Sequence, residues 1–169
     1  MKAQTINRHQ LLRGQFAGEE TIRPPWSVNE LAFTEKCTRC YQCANVCHSN
    51  IIVKGSGGFP EISFKRQGCD FCEACVQACP EDVLHTGKQS AWQHTAVIND
   101  DCFSVQGIVC RSCDEICESR AIQIKPGIAG RIQVILNAAA CNGCGECVHV
   151  CPAGAIKISK DSAMGKNHE

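Results

Sequence analysis

Four cysteines fall within eleven positions in "CNGCGECVHVC", residues 141–151, and three other stretches of the chain are crowded in the same way. The first, "CTRCYQCANVC", supplies Cys37, Cys40, Cys43 and Cys47; the second, "CDFCEACVQACP", supplies Cys69, Cys72, Cys75 and Cys79. The third, "CFSVQGIVCRSCDEIC", supplies Cys102, Cys110, Cys113 and Cys117, and the fourth Cys141, Cys144, Cys147 and Cys151. Copies one, two and four read C-x2-C-x2-C-x3-C, whereas the third has seven residues between Cys102 and Cys110. The four copies use all 16 cysteines of the chain. Their first cysteines lie 32, 33 and 39 residues apart, the period of a repeated supersecondary unit.

Three thiolates separated by two residues each can converge from one curled loop on three irons of a cubane cluster, and in two-cluster ferredoxins the fourth cysteine reaches the other cluster. The spacing therefore predicts four 4Fe-4S clusters with all sixteen cysteines as ligands, the fourth cysteine of each copy sitting where a short helix begins. Gly143 and Gly145 suit a backbone that wraps a cluster with positive φ. Zinc is the first alternative, but structural zinc sites use separated pairs closing one tetrahedron, which leaves the triplet spacing unexplained. Disulfides are the second; they strain between residues this close and need an oxidising compartment.

Composition bears on the same point. The chain has 169 residues and an apolar content of 44% that counts the cysteines, so the aliphatic and aromatic share is thin for two small domains. Such domains need staples, inorganic or covalent. The opening "MKAQTINRHQLLRGQFAGEETIRPPWS" has no apolar run of signal-peptide length; Arg8 and Arg13 only faintly resemble a twin-arginine signal. The reading is a cytoplasmic protein without a membrane span. With 17 acidic and 17 basic side chains the net charge is zero, which gives no footprint for nucleic acid.

The segments between clusters indicate which copies associate. "IIVKGSGGFPEISF" after the first copy and "AIQIKPGIAGRIQVIL" after the third read as hairpins, the second with Ile122 and Ile124 facing Ile132 and Val134. The polar "HTGKQSAWQH" between copies two and three reads as a linker. Copies one and two then share a module, as do three and four. With the exchange, the ligand sets are Cys37, Cys40, Cys43 and Cys79; Cys69, Cys72, Cys75 and Cys47; Cys102, Cys110, Cys113 and Cys151; and Cys141, Cys144, Cys147 and Cys117. A nested pairing, first with fourth and second with third, is the alternative. It closes longer loops at higher entropic cost. Ile51, Val53, Ile62, Phe64, Ile122, Ile132, Ile156 and Ile158 are expected to shield the clusters.

The expected architecture is an α+β fold of two tandem bacterial-type ferredoxin-like modules, two clusters each, with short hairpins and short helices. Residues 1–33 form a basic, extended arm carrying Lys2, Arg8 and Arg13; 34–90 the first module; 91–160 the second; and 161–169 a tail. In "IRPPW", Pro24 and Pro25 enforce extended backbone, and Trp26 is read as packing on the first module rather than meeting a partner. His48, His85 and His149 are read as surface or supporting groups because the thiols complete the ligand count. His48 and Glu118 stand where Pro80 and Pro152 follow the other fourth cysteines. No nucleotide, dinucleotide or flavin motif and no catalytic constellation is present in the sequence.

"TIRPPWS", "GGFPEISF" and "CRSCDEICESRAI", with the long first gap of the third copy, resemble the NapF-type ferredoxins encoded with periplasmic nitrate reductases, from about Thr21 to Ile158. The resemblance implies a cytoplasmic protein with several 4Fe-4S clusters; the chain itself is read as a monomer and, without a catalytic constellation, not as an enzyme. It would interact with the molybdenum-containing catalytic subunit of the nitrate reductase and assist its cluster insertion before export. A plain one-electron carrier is the other reading.

Overall fold

The computed structural model describes residues 21–87, 91–127 and 132–160. The basic stretch with Lys2, Arg8 and Arg13, and the tail from 161, lie outside the described residues.

Two halves repeat one plan: a cysteine loop ending in a single helical turn, a hairpin, and a second loop and turn. The first half carries α1 (Glu30–Lys36), α2 (Gln42–Asn45), β1 (Ile52–Lys54), β2 (Pro60–Ile62) and α3 (Ala74–Gln77). The second carries β3 (Thr95–Ile98), α4 (Ser112–Ile116), β4 (Ile122–Pro126), β5 (Ile132–Leu136), α5 (Glu146–His149) and β6 (Ile156–Ser159). β1 pairs with β2 and β4 with β5, both antiparallel. In the second hairpin Ile124 stands opposite Val134, while Ile122 meets Leu136 and Ile132 meets Pro126. Each half is closed by its own ends: β3 pairs with β6 in the second, and an antiparallel Ser27–Leu84 bridge does the same in the first. Hydrogen bonds from Val28 N–H to the Val83 carbonyl (3.0 Å) and from His85 N–H to the Trp26 carbonyl (3.0 Å) flank that bridge.

Of the side chains expected to shield the cysteines, Ile51, Phe64, Ile122, Ile156 and Ile158 are buried and Ile62 and Ile132 half-buried. Val53 is the exception, 39% exposed. Ile51 and Ile52 both turn inward at the head of β1, so strand alternation sends Val53 to the solvent face.

The expectation of an extended arm up to residue 33 also needs correcting, because Ile22, Arg23, Pro24, Pro25 and Phe33 are buried and a helix begins at Glu30. Asn29 caps α1 by accepting from the Ala32 N–H (3.0 Å), and the helix turns Phe33 fully inward. Pro24 and Pro25 are fully buried. Arg23, 7% exposed, lies against the rings of Phe33 and Phe59 at 5.2 and 5.4 Å. It donates from Nε and Nη2 to the two carboxylate oxygens of Glu30 (2.8 and 2.6 Å) and reaches Glu61 at 3.5 Å. A guanidinium suits this place because it stacks on aromatic faces and forks onto one carboxylate. Trp26 packs within the molecule, edge-on to Phe71 with centroids 6.2 Å apart.

In the stretch read as a polar linker, Trp92 and His94 are buried. Trp92 is 8% exposed, stands edge-on to Phe64 and Phe71 (5.8 and 5.6 Å), and donates its indole N–H to the Arg23 carbonyl (3.1 Å). His94 is buried beside it. The halves also touch directly: a Cβ on Gly145 would fall 2.2 Å from the Phe64 ring.

Removing the Arg23 fork leaves Glu30 and Glu61 facing each other without the cation. Arg23→Ala is expected to destabilise the fold by about 3 kcal/mol, and the partly exposed Glu30→Ala by about 1 kcal/mol, in urea unfolding of the iron-loaded protein. Equal costs would contradict the central role given to the buried cation.

Candidate metal centres

Each of the single-turn helices α2, α3, α4 and α5 begins one residue before the third cysteine of its copy, at Gln42, Ala74, Ser112 and Glu146. This corrects the expectation that a helix starts at the fourth cysteine. The three-residue gap between third and fourth cysteines is one helical turn. The turn buries Cys43, Cys75, Cys113 and Cys147 and delivers the fourth cysteine beyond its end.

Gly143 and Gly145 flank the second cysteine of the last copy and adopt φ of 73° and 80°, the left-handed backbone expected of them. The same positions in copies one and two are Arg39 and Tyr41 (both 60°), and Phe71 and Glu73 (56° and 62°). Sequence reasoning missed these, since nothing but the register of the repeat marks them. Non-glycine residues in this region cost of order 1 kcal/mol each, strain that the surrounding structure must sustain.

The loops bring three cysteines of one copy together with the fourth cysteine of another. Cys37, Cys40 and Cys43 line one cavity with Cys79, and Cys69, Cys72 and Cys75 line another with Cys47. Cys102, Cys110 and Cys113 line a third with Cys151. For the last set, burial first and then Cys144, Cys141, Cys113 of the third set and Cys117 raise the Cys147 thiol, and Cys141 and Cys117 act likewise on Cys144. The nested pairing has no counterpart in these groupings.

In the third copy the extra residues curl into a turn. Ser104, fully buried, donates its hydroxyl to the Cys110 carbonyl (2.6 Å), and Ile108 N–H bonds to the Phe103 carbonyl (2.8 Å). The insertion does not take Cys102 out of its set: it lines one cavity with Cys110, Cys113 and Cys151. The insertion instead pushes Ile108 and Val109 outward, Val109 being 83% exposed. His48 lies beside Asp70 and Cys72, with donor atoms within 4.8 Å of one another and all three residues exposed. His85 and His149 stand near Asp82 and Glu146, 3.2 and 3.5 Å away.

The donor chemistry fits an inorganic cluster. Burial pushes the Cys43, Cys69 and Cys113 thiols up to about 12 and Cys75 to about 11; neighbouring cysteines add to the effect. Cys147 is displaced further in the same direction, and Cys79 and Cys144 are raised as well, again chiefly by burial. Four such sulfurs can be thiolates together only if positive charge sits among them, as iron provides. Backbone amides already point at sulfur: Ala121 N–H at Cys117 (3.2 Å), Ala155 at Cys151 (3.3 Å), and Phe71 and Ala96 at Cys69 and Cys141 (3.4 Å each). Such bonds are among the levers on cluster potential.

Known proteins share this layout. The 4Fe-4S dicluster domain matches residues 36–83 and 108–155. The second match begins after Cys102, whose long gap displaces it from the common pattern although it lines the same cavity as Cys110. The ferredoxin-type protein NapF of Escherichia coli (strain K12) is 42% identical over 151 residues, covering 89% of this chain and 92% of that protein. The ferredoxin-type protein NapF of Haemophilus influenzae is 39% identical over 170 residues, covering 94% and 97%. The ferredoxin-type protein NapG of Escherichia coli (strain K12) is 31% identical over 160 residues, covering 81% and 69%.

The raised thiols set a pH window for the metal-free chain. Their folded values lie above the ordinary value of 9.0, so the unfolded chain ionises first as pH rises. Stability of the reduced, metal-free fold is expected to be full below pH 9 and to fall as pH climbs toward 11 and 12. Denaturant midpoints measured anaerobically across that range check this; a flat profile contradicts the burial of the thiols.

Proposed function

The chain belongs to the family of ferredoxin-type proteins NapF, and from that premise we propose a four-cluster iron–sulfur protein that serves a periplasmic nitrate reductase. Its two dicluster domains each hold two 4Fe-4S clusters. The ligands are Cys37, Cys40, Cys43 and Cys79; Cys69, Cys72, Cys75 and Cys47; Cys102, Cys110, Cys113 and Cys151; and Cys141, Cys144, Cys147 and Cys117. The observation that carries this reading is the gathering of three cysteines from one loop with the fourth of another around one cavity. When bound, the clusters supply one-electron transfer at potentials set by burial and by amide bonds to sulfur.

In this reading the first module runs from about residue 34 to 90 and the second from 91 to 160, with the segment from Ile22 to Phe33 packed onto the first. The monomeric protein acts in the cytoplasm. It meets the catalytic subunit of the nitrate reductase before export and assists insertion of that subunit's cluster. Exposure of Cys40 and Cys72, the second cysteines of two sets, favours this role, because clusters reached from solvent can exchange with a partner. The second reading, an electron carrier, is favoured by the direct contact between the two modules.

Anaerobically purified protein is expected to carry about sixteen iron atoms and as many acid-labile sulfides, four per set. Cys102→Ser is expected to reduce the count to about twelve, although Cys102 lies outside the matched residues. Zinc in place of iron, with no sulfide, would overturn the assignment. Deletion of the gene separates the two roles: loss of the cluster from the catalytic subunit supports assembly. A fully loaded subunit that fails only with its physiological electron supply supports the carrier.

A further inference from the structure

Two of the four cysteine sets meet across the seam between modules, and they meet through backbone. Cys69 donates its N–H to the carbonyl of Cys144 at 2.7 Å. One belongs to the second set and the other to the fourth, so two loops that carry the sulfurs are joined without an intervening side chain. Next to this bond, Gly68 N–H donates to the Glu146 carboxylate (3.1 Å). The fit leaves no room for a side chain on Gly68: a Cβ there would lie 2.6 Å from the Glu146 nitrogen and 2.7 Å from the Cys144 oxygen. Both atoms are backbone and cannot swing away.

Within each module the contact is different. Helix α2, which carries Cys43 of the first set, packs against α3, which carries Cys75 of the second, and α4 with Cys113 of the third set packs against α5 with Cys147 of the fourth. These four are the buried third cysteines of their copies. Among the described residues, no hydrogen bond joins the first or third set to a cysteine loop of the other module.

We infer that the Cys69–Cys144 hydrogen bond is the electron junction between the modules, ordering the four sites one, two, four, three, with Gly68 and Glu146 as its positioning residues. The inference rests on the proposed occupancy of the sets by clusters. The path from sulfur to sulfur runs through the Cys69 side chain and N–H, across one hydrogen bond, then through the Cys144 carbonyl, Cα and side chain. In the step, one electron leaves the reduced second site, which returns to its oxidised form, and enters the oxidised fourth site. No bond is made or broken and no proton moves. The first and third sites become the two ends of the chain, although they open the two modules in sequence.

The test uses the full-length, iron-loaded protein reduced by dithionite, with magnetic coupling between clusters read by electron paramagnetic resonance. Wild-type protein is expected to show coupling across the modules as well as within them. Cys40→Ser, which removes the first site, is expected to leave the cross-module coupling intact. Cys72→Ser, which removes the second, is expected to abolish it. Gly68→Leu is expected to abolish it while retaining about sixteen iron atoms and the coupling within each module. Glu146→Ala should weaken it and Glu146→Gln, which keeps an acceptor for the Gly68 N–H, should restore it. Cross-module coupling that survives Cys72→Ser, or is absent from fully loaded wild-type protein, overturns the order of sites. The wild-type measurement stands even where a variant fails to fold. Protein without iron and sulfide would instead overturn the occupancy on which the inference rests.

Discussion

Buried sulfur in need of positive charge is the constraint around which this chain is arranged. The third cysteine of every copy is turned into the interior, and burial opposes its ionisation. A fold that turns the third cysteine of each copy inward and has a modest aliphatic complement is incomplete as a hydrocarbon core. Positive charge held between the loops, as iron in a 4Fe-4S cluster provides, would complete it. The cysteine-bearing helices α2 to α5 are accordingly single turns, and the sheets of the described residues are two-stranded, because neither has to bury much surface by itself.

The spacing of cysteines made the repeat legible, and local hairpins made the sequential pairing the cheaper topology; the cavities group the sulfurs in that way. Gly143 and Gly145 were readable for their backbone because glycine advertises positive φ, whereas Arg39, Tyr41, Phe71 and Glu73 adopt the same conformation silently. Trp92 was hidden by its surroundings. A polar stretch around one aromatic reads as a connector, and only the three-dimensional meeting with Phe64, Phe71 and the Arg23 carbonyl shows it to be a wedge. The same holds for Arg23, whose partners Glu30 and Glu61 are seven and 38 residues away. The helix position was misjudged because spacing specifies one turn between the last two cysteines but not which of them stands inside it.

The halves differ where they meet the outside. The second is closed by a four-residue strand pair, β3 with β6, the first by a single bridge reinforced by Pro24, Pro25 and the Arg23 network. The insertion in the third copy is absorbed on the surface, where it presents Ile108 and Val109, while buried Ser104 ties its inner side to the Cys110 carbonyl. Variation has thus been accommodated at the rim of a repeat whose interior stays constant.

The crossing of the fourth cysteines carries a consequence for how a chain like this can grow or shrink. Cys47 serves the neighbouring loop's cavity and Cys79 serves the first, so deleting either copy strips a sulfur from the survivor. Duplication or loss of a single copy would leave one cavity a ligand short. The heritable unit is therefore the pair, and descendants of this architecture are expected to count their loops in even numbers.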